Sequence, residues 1–360
     1  MSNFVTVEPA IDPNNRISFL IDWELTMKCN LDCSYCSSEL YGGHDNSTRH
    51  PPVDECLKSI DFMFEYVDLY MATKPKGIRY VVLNVYGGES LYHPDIVTVL
   101  EQVHERYKPY QDRWHLTVTT TTNAIISENQ LKKIIPLIDE FTVSYHTEAT
   151  DRQKQQFYNN LLTIQKSGKR QKCIVLMHNR ADMFADSKQM IVWLEQNNIR
   201  YLPKQLDGNH EYDSAQITWF NKLDQTLTFG NTVPQTASTR ACCGGRQICA
   251  NQNYKQRHHY IGNQFPNWYC SVNHFFLYIK QVTGEIFVNK DCKMNFEGSV
   301  GAIGTLESTE KLLTETKMSI INKTLPIIQC KKSKCLCGLC APKAQQFEDY
   351  NTTMKKYQCL

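Results

Sequence analysis

Fifteen cysteines in 360 residues, placed unevenly, constrain this chain more than any other feature. Three fall within Cys29–Cys36 and nine between Cys242 and Cys340, while Cys56, Cys173 and Cys359 stand apart. No run of about 18 apolar residues is present, so no membrane span is expected. The segment Met1–Ile17 is polar, with Pro9, Asp12 and Pro13, unlike a secretory signal. The expected location is therefore cytoplasmic. In a reducing compartment, clustered cysteines act as metal or cluster ligands rather than disulfides. A formal net charge of +2, from 39 basic and 37 acidic residues, argues against a nucleic-acid binder driven by bulk charge.

Between residues 18 and 205, strand-like and helix-like segments alternate. Ser18–Leu25 (SFLIDWEL) is a β-like run. Val53, Leu57, Ile60, Phe64, Val67 and Met71 recur at helical spacing behind Pro51 and Pro52. Tyr80–Tyr86 is too short and too β-branched for a helix, and Ile96, Val99, Leu100, Val103 and Tyr107 mark a second helix. The threonine-rich His115–Thr122 is a third strand. Ser127 with Gln130 forms a capping box ahead of Leu131–Ile138. Phe141–Tyr145, a helix over Thr150–Gln165, Lys172–Met177, a helix over Asp186–Gln196 and Ile199–Leu202 complete the series.

Six strands alternating with helices predict a parallel sheet in an α/β fold. A closed eightfold barrel would need two more units, so the expectation is an open, partial (β/α)6 barrel. After residue 206, Gly, Asn, Gln, His and Cys rise, and helical periodicity fades until Glu307–Ile321. Leu277–Val288 predicts a hairpin turning at Thr283-Gly284. The expected organisation is an extension over 1–17, the barrel over 18–205, an irregular Cys-rich domain over 206–345 and a tail over 346–360.

Cys29, Cys33 and Cys36 have the spacing C-x3-C-x2-C just after the first strand. Three thiolates on one short loop can hold three irons of a cubane cluster and leave the fourth iron open. The alternative is a structural zinc loop, which needs a fourth ligand. No fourth cysteine lies nearby, and His44 and His50 are the nearest candidates. Tyr86-Gly87-Gly88-Glu89 ends the second strand. Glycines there let a ligand approach the backbone and a carboxylate can accept from an ammonium, although a strand-to-helix turn explains the glycines equally well.

The segment Thr26–Cys36 (TMKCNLDCSYC), with Tyr35 before its last cysteine, resembles the signature loop of the radical S-adenosylmethionine (SAM) superfamily. The resemblance implies a 4Fe–4S cluster whose open iron binds SAM. It also implies reductive cleavage of SAM to a 5′-deoxyadenosyl radical that takes hydrogen from a substrate. Gly87, Gly88 and Glu89 resemble the family's GGE motif, which contacts the SAM amino group. Thr121-Thr122-Asn123 resembles its Thr-Asn-Gly turn, with Ala124 in place of Gly. Ser144–Glu148 ends the fourth strand where relatives carry Ser-Leu-Asp-Gly, and the resemblance makes Ser144 a candidate partner of the SAM ribose. His146 departs from that pattern, as a substrate contact or a hydrogen-bonded loop histidine. All lie at strand C-termini, where parallel α/β folds bind ligands.

The C-terminal cysteines are Cys242, Cys243, Cys249, Cys270, Cys292, Cys330, Cys335, Cys337 and Cys340. The region resembles the auxiliary-cluster extensions called SPASM and twitch, with Cys270 before a Gly-centred hairpin and Cys292 after it. In relatives the second cysteine falls where Asn289 stands here, and the terminal cysteines are more compact than usual. The resemblance implies one or two auxiliary iron–sulfur clusters, with Cys243, Cys249, Cys270, Cys292, Cys330, Cys335, Cys337 and Cys340 as candidate ligands. A zinc ribbon is the alternative. Adjacent Cys242 and Cys243 diverge in extended backbone, so they do not both serve one ion.

Many such relatives modify peptides, so the expected substrate is a peptide or protein, with a small metabolite as the alternative. A flavodoxin or ferredoxin is the implied electron donor. A non-catalytic zinc or redox-sensing module is the reading outside catalysis. Only about 17 residues precede the first strand, so no leader-binding domain is expected ahead of it. Arg257–Tyr260 is a basic, aromatic loop read as solvated. Lys331, Lys332 and Lys334 either balance cluster charge or lie on the surface. Cys56 and Cys173 are packing thiols.

Overall fold

A computed structural model describes residues 6–7, 17–36, 45–73, 79–206, 210–226, 267–289, 301–325, 327–330 and 343–356. The six alternating strands are β1 (Ile17–Thr26), β2 (Arg79–Gly87), β3 (His115–Thr122), β4 (Glu140–Tyr145), β5 (Arg170–Met177) and β6 (Tyr201–Gln205). Each boundary falls within three residues of its expected place. Between them lie α1 (Val53–Ala72), α2 (Ile96–Tyr107), α3 (Glu128–Ile134), α4 (Asp151–Lys166) and α5 (Ala181–Gln196).

The sheet does not stop at β6. The expected hairpin forms as β7 (Phe276–Lys280) and β8 (Glu285–Phe287), with Gly284 at φ 71° in its turn, and β9 (Ala302–Thr305) follows. All nine strands make one sheet in the order β9-β8-β7-β1-β2-β3-β4-β5-β6. β7 and β1 to β6 run parallel, and β8 is antiparallel to both neighbours. The fold is α/β with an open, mostly parallel sheet, β6 and β9 forming its two edges.

Two local expectations are corrected. Helical structure resumes well before residue 307, in α6 (Ser214–Thr226), ahead of α7 (Thr309–Ile321) and α8 (Phe347–Lys356). Asp213 and Gln216 cap α6 reciprocally, at 2.9 and 2.8 Å. Its buried anchor is Phe220, whereas Ile217 is exposed, so its apolar stripe is too thin for periodicity to reveal. The capping box at Ser127 is half made: Ser127 Oγ accepts from Gln130 N, but Gln130 Nε2 donates to Leu91 O at 2.9 Å. The complete box sits on α4, at Thr150 and Gln153.

Alternation along β1 sets the two faces of the sheet. Phe19, Ile21, Trp23 and Leu25 join Ile60, Met63 and Phe64 of α1 in the main apolar core. Asp22 and Glu24 take the other face. There Asn84 Nδ2 donates to Asp22 Oδ1 at 2.8 Å, and the Tyr278 hydroxyl donates to Glu24 Oε2 at 2.7 Å. The register Asp22, Asn84, Thr119, Glu140, Arg170 carries this polar face across five parallel strands. A second, four-stranded antiparallel sheet joins Thr6–Val7, Lys343–Ala344, Tyr269–Cys270 and Ile328–Gln329 in that order. Among the described residues no helix is long and apolar enough to cross a membrane.

Gln281, at the end of β7, latches this late strand to the start of the chain. Its amide N donates to Glu24 O at 3.0 Å, and its Oε1 accepts from Trp23 Nε1 at 2.9 Å and from Ser59 Oγ at 2.6 Å. Gln281→Leu leaves the buried Trp23 Nε1 without its acceptor and Ser59 Oγ with only its 3.4 Å bond to Glu55 O, and is expected to cost about 1–3 kcal/mol. A lowered urea midpoint with an unchanged denaturant slope would bear this out; an unmoved midpoint would refute it.

Candidate functional site

The three cysteines sit in the loop that leaves the C-terminal end of β1, and the ends of the next three strands all bond to that loop. Gly88 N donates to Thr26 O and Glu89 N to Lys28 O, both at 2.8 Å, extending the β1–β2 pairing into the loop. A Cβ on Gly87 would lie 2.0 Å from Thr26 O, and one on Gly88 would lie 2.5 Å from the carbonyl oxygens of both Met27 and Lys28. Only glycine allows this approach. Gly87 also holds φ at 152°, which side-chain-bearing residues rarely adopt.

From the end of β3, Asn123 Nδ2 donates to Asn30 Oδ1 at 2.7 Å, and Asn30 Nδ2 donates to Ile125 O at 2.5 Å. Asn46 Oδ1 accepts from Cys29 N at 3.0 Å, and Gln153 of α4 donates to Asn30 O at 3.3 Å. From the end of β4, Glu148 takes two bonds from Ser34, one from its amide and one from its hydroxyl, each 2.5 Å. Cys36 N closes the turn on Cys33 O at 3.0 Å.

Cys29 is half-buried, Cys33 buried and Cys36 exposed. Burial pushes the Cys29 and Cys33 thiols up to about 12, so ligation there displaces protons. Tyr35 stacks on His146 at an interplanar angle of 3°, and its hydroxyl lies 2.9 Å from His146 Nδ1. The same nitrogen is 3.5 Å from Cys33 Sγ. His146 is thus a hydrogen-bonded loop histidine beside the cysteines, with burial lowering its pKa to about 4.

Glu89 is buried, and all three donors to its carboxylate are protein groups: Leu91 N at 3.0 Å, Thr122 Oγ1 at 2.7 Å and Asn123 N at 2.5 Å. In this arrangement it ties the end of β2 to the end of β3. Ser144 is half-buried on β4, in register with Ile174. The structure therefore gathers Cys29, Cys33, Tyr35, Cys36, Gly87, Gly88, Glu89 and Asn123 around one loop.

Of the C-terminal candidates, Cys270 belongs to the small antiparallel sheet and Cys330 directly follows its strand Ile328–Gln329. Cys270 pairs with Ile328, and Cys330 N donates to Trp268 O at 2.9 Å. Cys242, Cys243, Cys249, Cys292, Cys335, Cys337 and Cys340 lie outside the described residues, as do His44, Arg257–Tyr260 and Lys331, Lys332 and Lys334. Cys56 and Cys173 are buried packing thiols, as expected. Residues that sequence reasoning did not single out are Asn30, Ser34, Asn46, Glu148 and His178. Their only signal is to be polar in loops.

The donor set fits an iron–sulfur cube. Among the described residues, no three Cys, His, Asp or Glu side chains converge enough to hold a single metal ion. His50, one candidate fourth zinc ligand, has its Nδ1 3.2 Å from Thr26 Oγ1 and packs on His93.

Two outcomes test this geometry. Gly88→Ala must displace the loop backbone, since both obstructing atoms are carbonyl oxygens, and should cost about 1–3 kcal/mol. Reconstituted iron content should fall with it, and a variant that holds iron at the wild-type stoichiometry and stability would contradict the close approach. Glu89 offers a pH test. Burial pushes its carboxyl up to about 7 against the opposing pull of its three bonds. A raised carboxylate pKa favours the fold below the unfolded value and loses that contribution as pH rises through 7. Relative to Glu89→Gln, the wild type should lose about 3 kcal/mol between pH 4.5 and 8, read from urea midpoints. A difference that stays flat with pH would refute it.

No protein-family model matches the chain, and no curated protein matches it. Solved structures do. SuiB from Streptococcus suis bound to S-adenosylmethionine superposes with a TM-score of 0.51 at 14% identity, covering 84% of this chain and 66% of SuiB. This chain thus spans just under two thirds of SuiB's length. The protein anSMEcpe with bound AdoMet gives 0.51 at 12% identity, and with AdoMet and the Kp18Cys peptide 0.52 at 11%, both covering 94% of this chain and 96% of the other. At such identities the likeness is one of fold: SuiB and anSMEcpe share the α/β architecture of this chain.

Proposed function

We propose that the chain is a radical SAM enzyme in which Cys29, Cys33 and Cys36 hold a 4Fe–4S cluster with one open iron, and that it removes a hydrogen atom from a peptide or protein. The observation that carries this reading is the loop itself: three cysteines at the C-terminal end of β1, braced by the ends of β2, β3 and β4. When bound, the cluster and SAM supply one-electron cleavage of a carbon–sulfur bond and a 5′-deoxyadenosyl radical that takes hydrogen from the substrate.

The chain's own residues orient and enclose. Gly87 and Gly88 leave room for backbone alone beside the loop. Asn123 and Ser144 offer amide and hydroxyl groups at two neighbouring strand ends, suited to the SAM ribose and carboxylate. Across the sheet from the main core, Asn84 bonds Asp22 and Tyr278 bonds Glu24, which makes that face polar. The peptide class is supported by the likeness to anSMEcpe, a structure of which holds a peptide beside AdoMet. Cys270, in the small antiparallel sheet, and Cys330, directly after its strand Ile328–Gln329, are the auxiliary-cluster ligands we favour. The electron would come from a flavodoxin or ferredoxin.

The test is anaerobic. The full chain is reconstituted with iron and sulfide, given SAM and dithionite, and 5′-deoxyadenosine is quantified by mass spectrometry. It should form with the intact triad and fall to background in the triple variant Cys29→Ala, Cys33→Ala, Cys36→Ala. If neither protein forms it, and the intact protein as purified holds zinc without acid-labile sulfide, the zinc-module reading replaces this one.

A further inference from the structure

We propose that Glu148 is the positioning residue of the cysteine loop: by accepting both the amide and the hydroxyl of Ser34, it sets the turn from Cys33 to Cys36 and places a negative charge beside whatever cluster that turn carries. The inference rests on the radical SAM reading for the cluster's identity, but the brace itself is a property of the chain.

Ser34 lies between two of the three cysteines, so its conformation governs where both thiols point. Its N–H donates to Glu148 Oε2 and its Oγ–H to Glu148 Oε1, each at 2.5 Å. Two bonds from one residue to one carboxylate fix both position and rotation, as a single bond would not. Glu148 is itself held from behind. Arg180 N donates to His178 Nδ1 at 3.0 Å, which leaves that nitrogen as the acceptor and puts the ring proton on Nε2. Nε2 stands 3.3 Å from Glu148 Oε1 and donates to it. His178 is buried and follows directly on β5. A chain of bonds therefore runs from the end of β5, through the segment after β4, into the cysteine loop.

Glu148 makes no described ion pair with Lys or Arg, and its bonds go to Ser34 and His178 alone. A carboxylate there has an electrostatic consequence. Reduction adds negative charge to a thiolate-bound cluster, and a nearby anion opposes it. Glu148 thus lowers the reduction potential of the site that it orders.

Two variants separate the roles. Glu148→Ala removes both acceptors and the charge. Glu148→Gln removes the charge and turns one of the two acceptors into a donor, so it keeps the Oε1 bonds from Ser34 Oγ and His178 Nε2 and loses the one at Oε2. In the reconstituted full chain, Glu148→Ala should release iron to a bathophenanthroline chelator about 10–100-fold faster than wild type, while Glu148→Gln stays within a few-fold. The midpoint potential of Glu148→Gln, followed by electron paramagnetic resonance, should move to more positive values. In the metal-free chain, hydrogen exchange at the Ser34 amide should quicken in both variants, and more in Glu148→Ala, which loses the hydroxyl bond as well. If exchange behaves so but wild type assembles no iron–sulfur cluster, the radical SAM reading fails and the brace stands. If wild type assembles the cluster, and both variants match it in iron release, potential and Ser34 exchange, the positioning role is overturned.

Discussion

A backbone-to-backbone contact governs the rest of this site. Where β2 ends, Gly88 and Glu89 donate to the carbonyls of Thr26 and Lys28, at a separation that leaves no room for a Cβ. The cysteine loop is therefore laid against a strip of chain without side chains. Its height over the sheet is set by hydrogen-bond length rather than by side-chain packing. The glycines of the GGE stretch were expected to admit a ligand or to serve a turn. Their immediate need is nearer: they admit the loop. Glu89 then passes the constraint on, through Thr122 and Asn123, to Asn30 inside the loop.

Two carboxylates flank that loop and behave oppositely. Glu89 is buried, and burial outweighs its three bonds, raising its carboxyl to about 7. At Glu148 burial also pushes upward, but the two Ser34 bonds and His178 together hold its carboxyl below the usual carboxylate range. One end of the cysteine loop thus meets a carboxyl raised to about 7, and the other meets a carboxylate held below its usual range. For an anionic cluster this matters, because each nearby full negative charge makes reduction harder.

Much of this was legible in the sequence because it is local. Alternation and helical spacing mark β1 to β6 and the helices between them, and the Gly284 turn marks the hairpin of β7 and β8. Cys29, Cys33 and Cys36 declare themselves by spacing. What was hidden depends on pairing across distance. That β7 lies parallel to β1, so that Tyr278 reaches Glu24 and Gln281 reaches Trp23, joins residues more than 250 positions apart, and no local pattern encodes it. The same sheet takes in β7, β8 and β9, all from beyond residue 205. Glu148 and His178 were hidden for another reason. Each becomes specific only through the partner that the fold brings to it.

Ala124 shows why matching a motif by letter is weaker than matching it by geometry. The resemblance expects glycine there, and the backbone explains why: Ala124 sits at φ 54°, in the left-handed region. That conformation costs an alanine about 1–2 kcal/mol. The cost is borne because the turn is over-determined. Ala124 N donates to Thr122 Oγ1 at 2.8 Å, and Ile125 N to Asn123 Oδ1 at 2.9 Å. Asn160 Nδ2 donates to the carbonyls of both Ala124 and Ile126, at 2.8 and 2.7 Å. The alanine methyl is also fully buried, which offsets about 0.8 kcal/mol. Four hydrogen bonds thus hold the shape that glycine would adopt freely, and Asn123 keeps its place against the cysteine loop. The departure is one of residue type, and the surrounding bonds preserve the geometry on which the site depends.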